Sequence, residues 1–210
     1  IAVASTKAYT GQVATLAFLA KAVGEANGNE KAKKFDLVRE LSIVAQSIES
    51  TLSEKELIEE KVRGLLETTR NAFYIGRGQD YYVVMEASLK LKEISYIQCE
   101  GFAAGELKHG TISLIEDGTP VIALISDNPT IASHTRGNVS EVVARGANTL
   151  TIVEEGVEKE GDDIIVNKVH PYLSSISMVI PTQLIAYYAS LHRGLDVDKP
   201  RNLAKAVTVE

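Results

Sequence analysis

The sequence contains one cysteine, Cys99, and no tryptophan. A single cysteine cannot form a disulfide within the chain, and it cannot build a cysteine-based metal site. Because disulfides belong mainly to oxidising compartments, this composition fits the reducing environment of the cytoplasm. The sequence therefore favours a cytoplasmic protein whose fold does not depend on disulfides.

The sequence also lacks long apolar runs and an excess of positive charge. No run approaches the roughly 20 apolar residues that a membrane-spanning helix needs, and no signal peptide is visible. There are 22 basic residues against 28 acidic ones, a net charge of −6. The densest basic run, Lys31, Lys33 and Lys34, is too short for a nucleic-acid footprint. We expect neither a membrane nor a nucleic acid as partner.

The remaining composition is that of an ordinary globular protein. With 210 residues, of which 45% are hydrophobic, the chain is long enough for one domain or one and a fraction. It begins at Ile1 rather than at a methionine. We therefore expect the natural protein to extend further upstream.

Helical spacing dominates the first third of the chain. Three apolar stripes recur at intervals of three and four residues, which is typical of helices with one buried face. Gly28 and the lysine-rich stretch after it separate the first two stripes, and Ser53 and Glu56 have capping-box spacing before the third. The stripes are Val13, Leu16, Ala17 and Ala20; Leu37, Leu41, Val44, Ile48 and Leu52; and Leu57, Ile58, Val62, Leu65 and Leu66.

From residue 72 onward, short apolar runs alternate with helical segments. This alternation predicts an α/β fold with a parallel sheet and helices on both faces, over residues 67–210. Ligands in such folds bind at the carboxyl ends of the strands. The acidic run 154–163 is expected to be a solvated loop. The predicted strands are 72–75, 120–126, 149–153 and 163–166; the predicted helices are 82–98, 128–146 and one from Pro181 to Gly194.

A glycine pair follows the first predicted strand. Gly76 and Gly78 resemble half of a dinucleotide-binding loop, but Tyr81 stands where the last glycine of GxGxxG belongs. Without that glycine the motif has low specificity. We interpret this segment as a tight turn.

The helix near residues 82–98 carries three charged residues on one face. Glu86, Lys90 and Glu93 are four and three residues apart, beside a stripe of Val84, Ala87, Leu91 and Ile94 that is expected to be buried. Such a triplet is commonly a solvated ladder of ion pairs. It can equally be a carboxylate placed to move a proton, with a lysine beside it. The spacing leaves both interpretations open.

Two further residues are chemical candidates. His109 lies in the glycine-rich, non-periodic segment 99–110, where an imidazole stays accessible. Lys205 lies in the irregular tail between two alanines; most tail lysines are solvated, but a desolvated lysine can attack a carbonyl. The other histidines, at 134, 170 and 192, have no partner at metal-ligand spacing and are interpreted as structural.

Four runs along the chain carry a family resemblance. They are VASTKAY at 3–9, LKLKEISY at 89–96, AAGELKHG at 103–110 and PRNLAKAVTVE at 200–210. In this order they resemble the isomerase part of the glutamine–fructose-6-phosphate aminotransferase family.

The resemblance implies a fold and an activity. The family's isomerase part is a tandem of two SIS (sugar isomerase) subdomains, each a three-layer αβα fold with a parallel sheet. It converts fructose 6-phosphate and ammonia, which an N-terminal glutaminase domain releases from glutamine, into glucosamine 6-phosphate. The resemblance implies that the enzyme uses neither a metal nor pyridoxal phosphate. It also implies a homodimer.

The resemblance also implies roles for individual residues. Glu93 matches the carboxylate that moves the proton between sugar C1 and C2, and Lys90 matches a lysine beside it. Lys205 matches the lysine that forms a Schiff base with the open-chain ketose. His109 matches the histidine for ring opening, which reaches the site of the neighbouring subunit. By the same resemblance, Val3, Ser5 and Ala204 match positions that line the sugar site.

The chain lacks two parts of the family enzyme. The glutaminase domain and the first half of the first SIS subdomain, with its phosphate-binding loops, have no counterpart here. On this basis residues 1–62 are the end of the first subdomain with linking helices, and residues 63–210 are the second subdomain with the tail. We expect the fragment alone to be poorly active or inactive. Two alternatives remain: a non-catalytic SIS module that senses a sugar phosphate, and another phosphosugar isomerase or deglycase.

Overall fold

A parallel sheet of five strands forms the centre of the computed structural model, which describes residues 3–126 and 128–204. The strand order is β2-β1-β3-β4-β5 and every pair is parallel. This confirms the predicted parallel α/β sheet. The strands are β1 Asn71–Gly76, β2 Gln98–Ala103, β3 Pro120–Ile125, β4 Asn148–Glu154 and β5 Ile164–Val166.

Helices cover both faces of this sheet. Helices α4, α5 and α7 pack on one face, and α6 packs on the other together with two 3-10 turns. The arrangement is the three-layer αβα architecture expected. The helices are α1 Lys7–Ala26, α2 Glu30–Lys34, α3 Leu37–Ser53, α4 Lys55–Leu66, α5 Gln79–Ser95, α6 Pro129–Val143 and α7 Ser174–His192; the 3-10 turns are Ala104–His109 and Thr111–Leu114.

Alternating side chains of the strands divide the core into two layers. In β1, Tyr74 points into the layer beneath α5 and α7, whereas Phe73 and Ile75 point into the layer beneath α6. In register, Tyr74 lies between Gly101 of β2 and Ile122 of β3. Because strand side chains alternate with a period of two, one register fixes which residues meet each helix layer.

Strand β2 was missing from the sequence-based assignment. It lies at the edge of the sheet, with Gln98 and Glu100 exposed and Gly101 in its middle. A half-exposed edge strand with a glycine lacks the apolar run that marks a central strand such as β3. The prediction of an irregular segment is therefore wrong for residues 99–103.

Two predicted helix starts are wrong. Helix α7 begins at Ser174 and contains Pro181 in its interior, because the apolar residues before the proline are buried in the same core. Ser53 does not cap α4: its hydroxyl donates to the Ser50 carbonyl at 2.6 Å, so it still belongs to α3. The N-cap position of α4 is Glu54, which makes no side-chain capping bond.

The first helices pack more loosely than their stripes predict. Helix α1 has no buried residue, and Leu16, expected on the buried face, is 61% exposed. Val13 and Ala17 pack against a small cluster around Leu37 and Leu173. The lysine-rich stretch forms the short helix α2 rather than a plain linker. Among the described residues, no helix is both long and apolar enough to cross a membrane.

Candidate functional site

The triplet on α5 forms one charged cluster. Lys90 Nζ donates to Glu93 Oε2 at 2.6 Å and lies 3.5 Å from Glu86 Oε1. Lys90 is only 3% exposed, because the stripe of Val84, Ala87, Leu91 and Ile94 on the same helix faces the core as predicted. The cluster is therefore not a solvated ladder, since its cation is buried between two carboxylates.

The two carboxylates have different surroundings. Burial raises the pKa of Glu86, and the nearby charge of Lys90 opposes that rise. Tyr9 of α1 lies close enough for the charge of Glu86 to add to the effect of burial in raising the pKa of its phenol. Glu93 is the more exposed carboxylate and holds the shorter contact to Lys90. The ammonium thus fixes the position of a carboxylate that solutes can reach.

Both described ends of the chain approach this helix. The Val3 amide donates to the Asp198 carbonyl at 3.3 Å, and Ala4 packs against the core cluster that contains α5. The Arg201 amide donates to the Tyr96 hydroxyl at 2.7 Å, and the Arg201 guanidinium lies 4.1 Å from the Tyr96 ring centroid. The start of the chain and its tail therefore meet beside the carboxyl end of α5.

The remaining predicted residues are only partly located by the structure. Ser5 is half-buried just before α1, and Ala204 is exposed at the end of the described tail. Lys205 lies outside the described residues, so its predicted role stays a prediction. The predicted roles of Val3, Ser5 and Ala204 in lining a sugar site stay predictions as well.

His109 lies apart from the charged cluster. It ends the first 3-10 turn, whose Leu107 packs into the layer beneath α6. Lys90 and Glu93 belong to α5, on the opposite face of the sheet. Within one copy of the chain, the sheet separates His109 from Glu93.

The cluster is not where the fold class predicts a ligand. Helix α5 starts beside the carboxyl end of β1 and ends at the start of β2, so Glu93 lies toward the amino ends of the strands. At the carboxyl ends, Asp80 in the first turn of α5 accepts a bond from the Ser126 amide at 2.9 Å. Burial raises the pKa of Asp80 to about 6, although the Ser126 hydrogen bonds oppose this. Asp80 was missed because nothing in its sequence context distinguishes it from an exposed helix-start aspartate.

The glycine pair after β1 forms the tight turn expected. A Cβ on Gly76 would lie 2.8 Å from the Asp80 backbone, and Gly78 has a φ of 58°. Arg77 between them donates to Asn138 Oδ1 at 2.9 and 3.1 Å. The loop is thus held by a side chain of α6.

Tyr96 also contributes to this region of the molecule, and the sequence does not predict this. It caps α5 in the left-handed conformation, with a φ of 60°, and this places its hydroxyl under the tail. A non-glycine residue in this conformation is uncommon and leaves no mark in the sequence. In the described ranges, no three His, Cys, Asp or Glu side chains lie where they could hold a metal ion.

Comparison with known proteins agrees with this architecture. The chain is 84% identical over all 210 residues to a protein from Streptococcus agalactiae named glutamine–fructose-6-phosphate aminotransferase [isomerizing], and 81% identical to the one from Streptococcus mutans. It spans 35% of the length of these relatives.

Solved structures show the same fold. The C-terminal domain of glucosamine-fructose-6-phosphate aminotransferase from Francisella tularensis matches 95% of this chain and 57% of its own, with a TM-score of 0.85 and 29% identity. A glucosamine-6-phosphate deaminase from Thermotoga maritima covers 98% of this chain, and 58% of its own, at a TM-score of 0.72 and 22% identity. Residues 65–193 match the SIS domain, and this chain therefore belongs to the SIS-domain family.

Proposed function

We propose that the chain is the isomerase part of a glutamine–fructose-6-phosphate aminotransferase, which makes glucosamine 6-phosphate from fructose 6-phosphate and glutamine-derived ammonia. The observation that carries this proposal is the hydrogen bond of buried Lys90 to Glu93, on the helix that the tail contacts at Tyr96. The 84% identity to a protein of that name supports it. A sensor module has no need of such a pair, because binding alone requires no proton transfer.

In this proposal, Glu93 and Lys205 share the chemistry at two adjacent sugar carbons. The neutral amine of Lys205 adds to the C2 carbonyl of the open-chain ketose and water leaves, which gives a Schiff base. Ammonia then takes the place of the lysine. Glu93 removes a proton from C1 and returns it to C2, as a general base and then a general acid.

Lys90 supports this role by orienting the carboxylate. Its 2.6 Å hydrogen bond leaves the second oxygen of Glu93 available, and a charge-assisted bond of this kind restricts the carboxylate to one orientation. Proton transfer between adjacent carbons needs that orientation, because the base must reach both positions. We place Val3, Ser5 and Ala204 around the sugar, since the ends of the chain converge here.

We further propose a homodimer in which His109 opens the sugar ring in the site of the neighbouring copy. The sheet lies between His109 and Glu93 of the same chain, which supports a second chain as the source of the histidine. We also propose a glutaminase domain as a partner within the longer protein. The relatives are almost three times as long as this chain, which leaves room for one.

The division at residue 62 is part of the same proposal. Helix α1 exposes Leu16, Phe18, Leu19 and Val23, as expected of a helix whose subdomain continues upstream. The family match begins at residue 65. The single, buried Cys99 supports a cytoplasmic location, because it leaves no disulfide to form.

A chimaera tests the activity directly. Residues 1–210 replace the matching segment of the Streptococcus agalactiae relative, and glucosamine 6-phosphate is measured with fructose 6-phosphate and glutamine. We expect activity in the chimaera and a loss of about 100-fold or more in Glu93→Gln, since general acid–base groups typically contribute that much. Borohydride with fructose 6-phosphate should label Lys205.

The control is Glu100→Gln, an exposed carboxylate on the edge strand β2. It should keep the activity of the chimaera. Full activity in Glu93→Gln would contradict the proposal. Sugar phosphate binding without turnover and without borohydride labelling would instead identify a sensor module.

A further inference from the structure

A basic pocket lies below the amino ends of β1 and β2, apart from the charged cluster on α5. Its cavity of 650 Å³ is bordered by the α4–β1 turn, the end of α5, the end of α7 and the tail. Arg70, Arg193 and Arg201 line it, and Glu67 is the one acidic residue among its lining residues. The chain has a net charge of −6, so three guanidiniums at one cavity make this part of the surface locally basic.

Contacts within the protein position two of these arginines. Arg193 Nη1 donates to the Thr69 carbonyl at 2.9 Å and to the Glu67 carbonyl at 3.3 Å. Arg201 lies against the Tyr96 ring at 4.1 Å. Such contacts restrict the side chains before any ligand arrives, and this lowers the entropy that binding would otherwise lose.

Carboxylates do not neutralise this group. Within residues 3–126 and 128–204, none of the three arginines lies in an ion pair. Asp196, an aspartate of the tail, accepts hydrogen bonds from the Asp198 and Lys199 amides instead. Guanidiniums stay charged at neutral pH and present a planar fork that matches phosphate oxygens. The positive charge of the pocket is therefore available to an anion.

We propose that this pocket binds a small phosphorylated anion that bridges Arg201 of the tail to Arg70 and Arg193 of the body. The cavity has the volume typical of small-molecule sites, roughly 300–1,000 Å³. Because Lys205 follows Arg201 closely in sequence, the same anion would hold the tail near α5.

Calorimetric titration of the 210-residue chain with inorganic pyrophosphate tests the site. We expect saturable binding that weakens about tenfold or more in Arg70→Gln and in Arg193→Gln, since each removes charge-assisted hydrogen bonds. Arg70 is exposed and its side chain makes no hydrogen bond among the described residues, so its replacement leaves the fold intact. Arg193→Lys keeps the positive charge of residue 193 but removes the planar guanidinium that matches phosphate oxygens.

The matched control is Arg39→Gln, an exposed arginine on α3 outside the pocket. It should bind pyrophosphate as the unchanged chain does. Absence of binding, or equal binding by Arg70→Gln and Arg39→Gln, would overturn the proposal. Glu93→Gln separates this site from the proposed activity: it should abolish turnover in the chimaera and leave pyrophosphate binding unchanged. Tighter binding in Glu93→Gln together with unchanged binding in Arg70→Gln would assign the anion to the charged cluster on α5, because loss of a carboxylate favours an anion beside Lys90.

Proteolysis tests the bridge to the tail. Trypsin cleaves after Arg201, and pyrophosphate should slow that cleavage several-fold in the unchanged chain and not in Arg70→Gln. Equal slowing in both chains, or none in either, would show that the anion does not connect the tail to the body. Neither result depends on whether the chain converts fructose 6-phosphate.

Discussion

At the scale of single residues, the charges of two buried groups, Lys90 and Asp80, are compensated in different ways. Lys90 is buried between two carboxylates, so its charge is compensated. Asp80 is 1% exposed and, among the residues that the structure describes, has only the hydrogen bonds of Ser126 as compensation. Hydrogen bonds from neutral donors offset less of the desolvation of a carboxylate than a full positive charge does. Asp80 is therefore the residue whose ionisation should affect stability most clearly.

The stability of the chain should fall as Asp80 ionises. Its pKa is about 6 in the folded chain against 3.8 ordinarily, so the folded state holds the proton more tightly. A raised carboxyl pKa contributes stability at low pH that is lost as pH rises through the folded value. Relative to Asp80→Asn, the unchanged chain should lose about 2 kcal/mol of unfolding free energy between pH 4 and pH 7.

Urea unfolding of both chains at several pH values measures this difference. The comparison cancels the groups that the two chains share. A difference that stays constant with pH would mean that Asp80 ionises normally in the folded state. One that grows in favour of the unchanged chain toward pH 7 would mean that the pKa of Asp80 is lowered in the folded state. Either result would contradict the prediction.

At the scale of elements, α5 is central because it connects the turn after β1 with the charged cluster. Its buried stripe and charged face were both predictable, because 3.6-residue periodicity places them on separate faces of the helix. Its ends were not: the helix starts at Gln79, and Tyr96 ends it in a left-handed conformation. The edge strand β2 that follows was also missed, since Gly101 interrupts its apolar pattern.

The sequence does not predict that the two ends of the chain converge on α5. Local patterns show neither that Val3 reaches Asp198 nor that Arg201 reaches Tyr96. These contacts depend on how whole elements pack. Family resemblance, and not periodicity, connected the two ends of the chain with one site.

Gly101 determines how closely α5 approaches the sheet. A Cβ at this position would lie 2.6 Å from the Val84 carbonyl oxygen and 3.0 Å from the Met85 amide nitrogen. Gly101→Ala must push α5 away from β2, and overpacking of this kind costs about 1–3 kcal/mol of unfolding free energy. Thermal and urea unfolding measure the loss.

The matched change is Gly137→Ala in α6, where a Cβ meets nothing within 4 Å. Alanine is the better helix former, so this variant should gain up to about 1 kcal/mol. If both alanine variants changed stability alike, the close approach at Gly101 would not control the packing of α5.

At the scale of the whole molecule, the two faces of the sheet carry different parts of the proposed site. One face bears Glu93 and the tail, and the other bears His109. In the proposed homodimer, two copies related by a twofold axis complete two sites. Each site would then take Glu93 from one copy and His109 from the other.

Mixed dimers of the chimaera test this arrangement. Glu93→Gln and His109→Asn should each be nearly inactive when expressed separately. When the two are co-expressed, half of the dimers contain one of each, and one of their two sites has both original residues. Co-expression should therefore restore about a quarter of the unmutated activity, as random pairing in a twofold dimer requires. If both residues acted within one copy, every site in the mixture would carry one change, and co-expression would restore nothing.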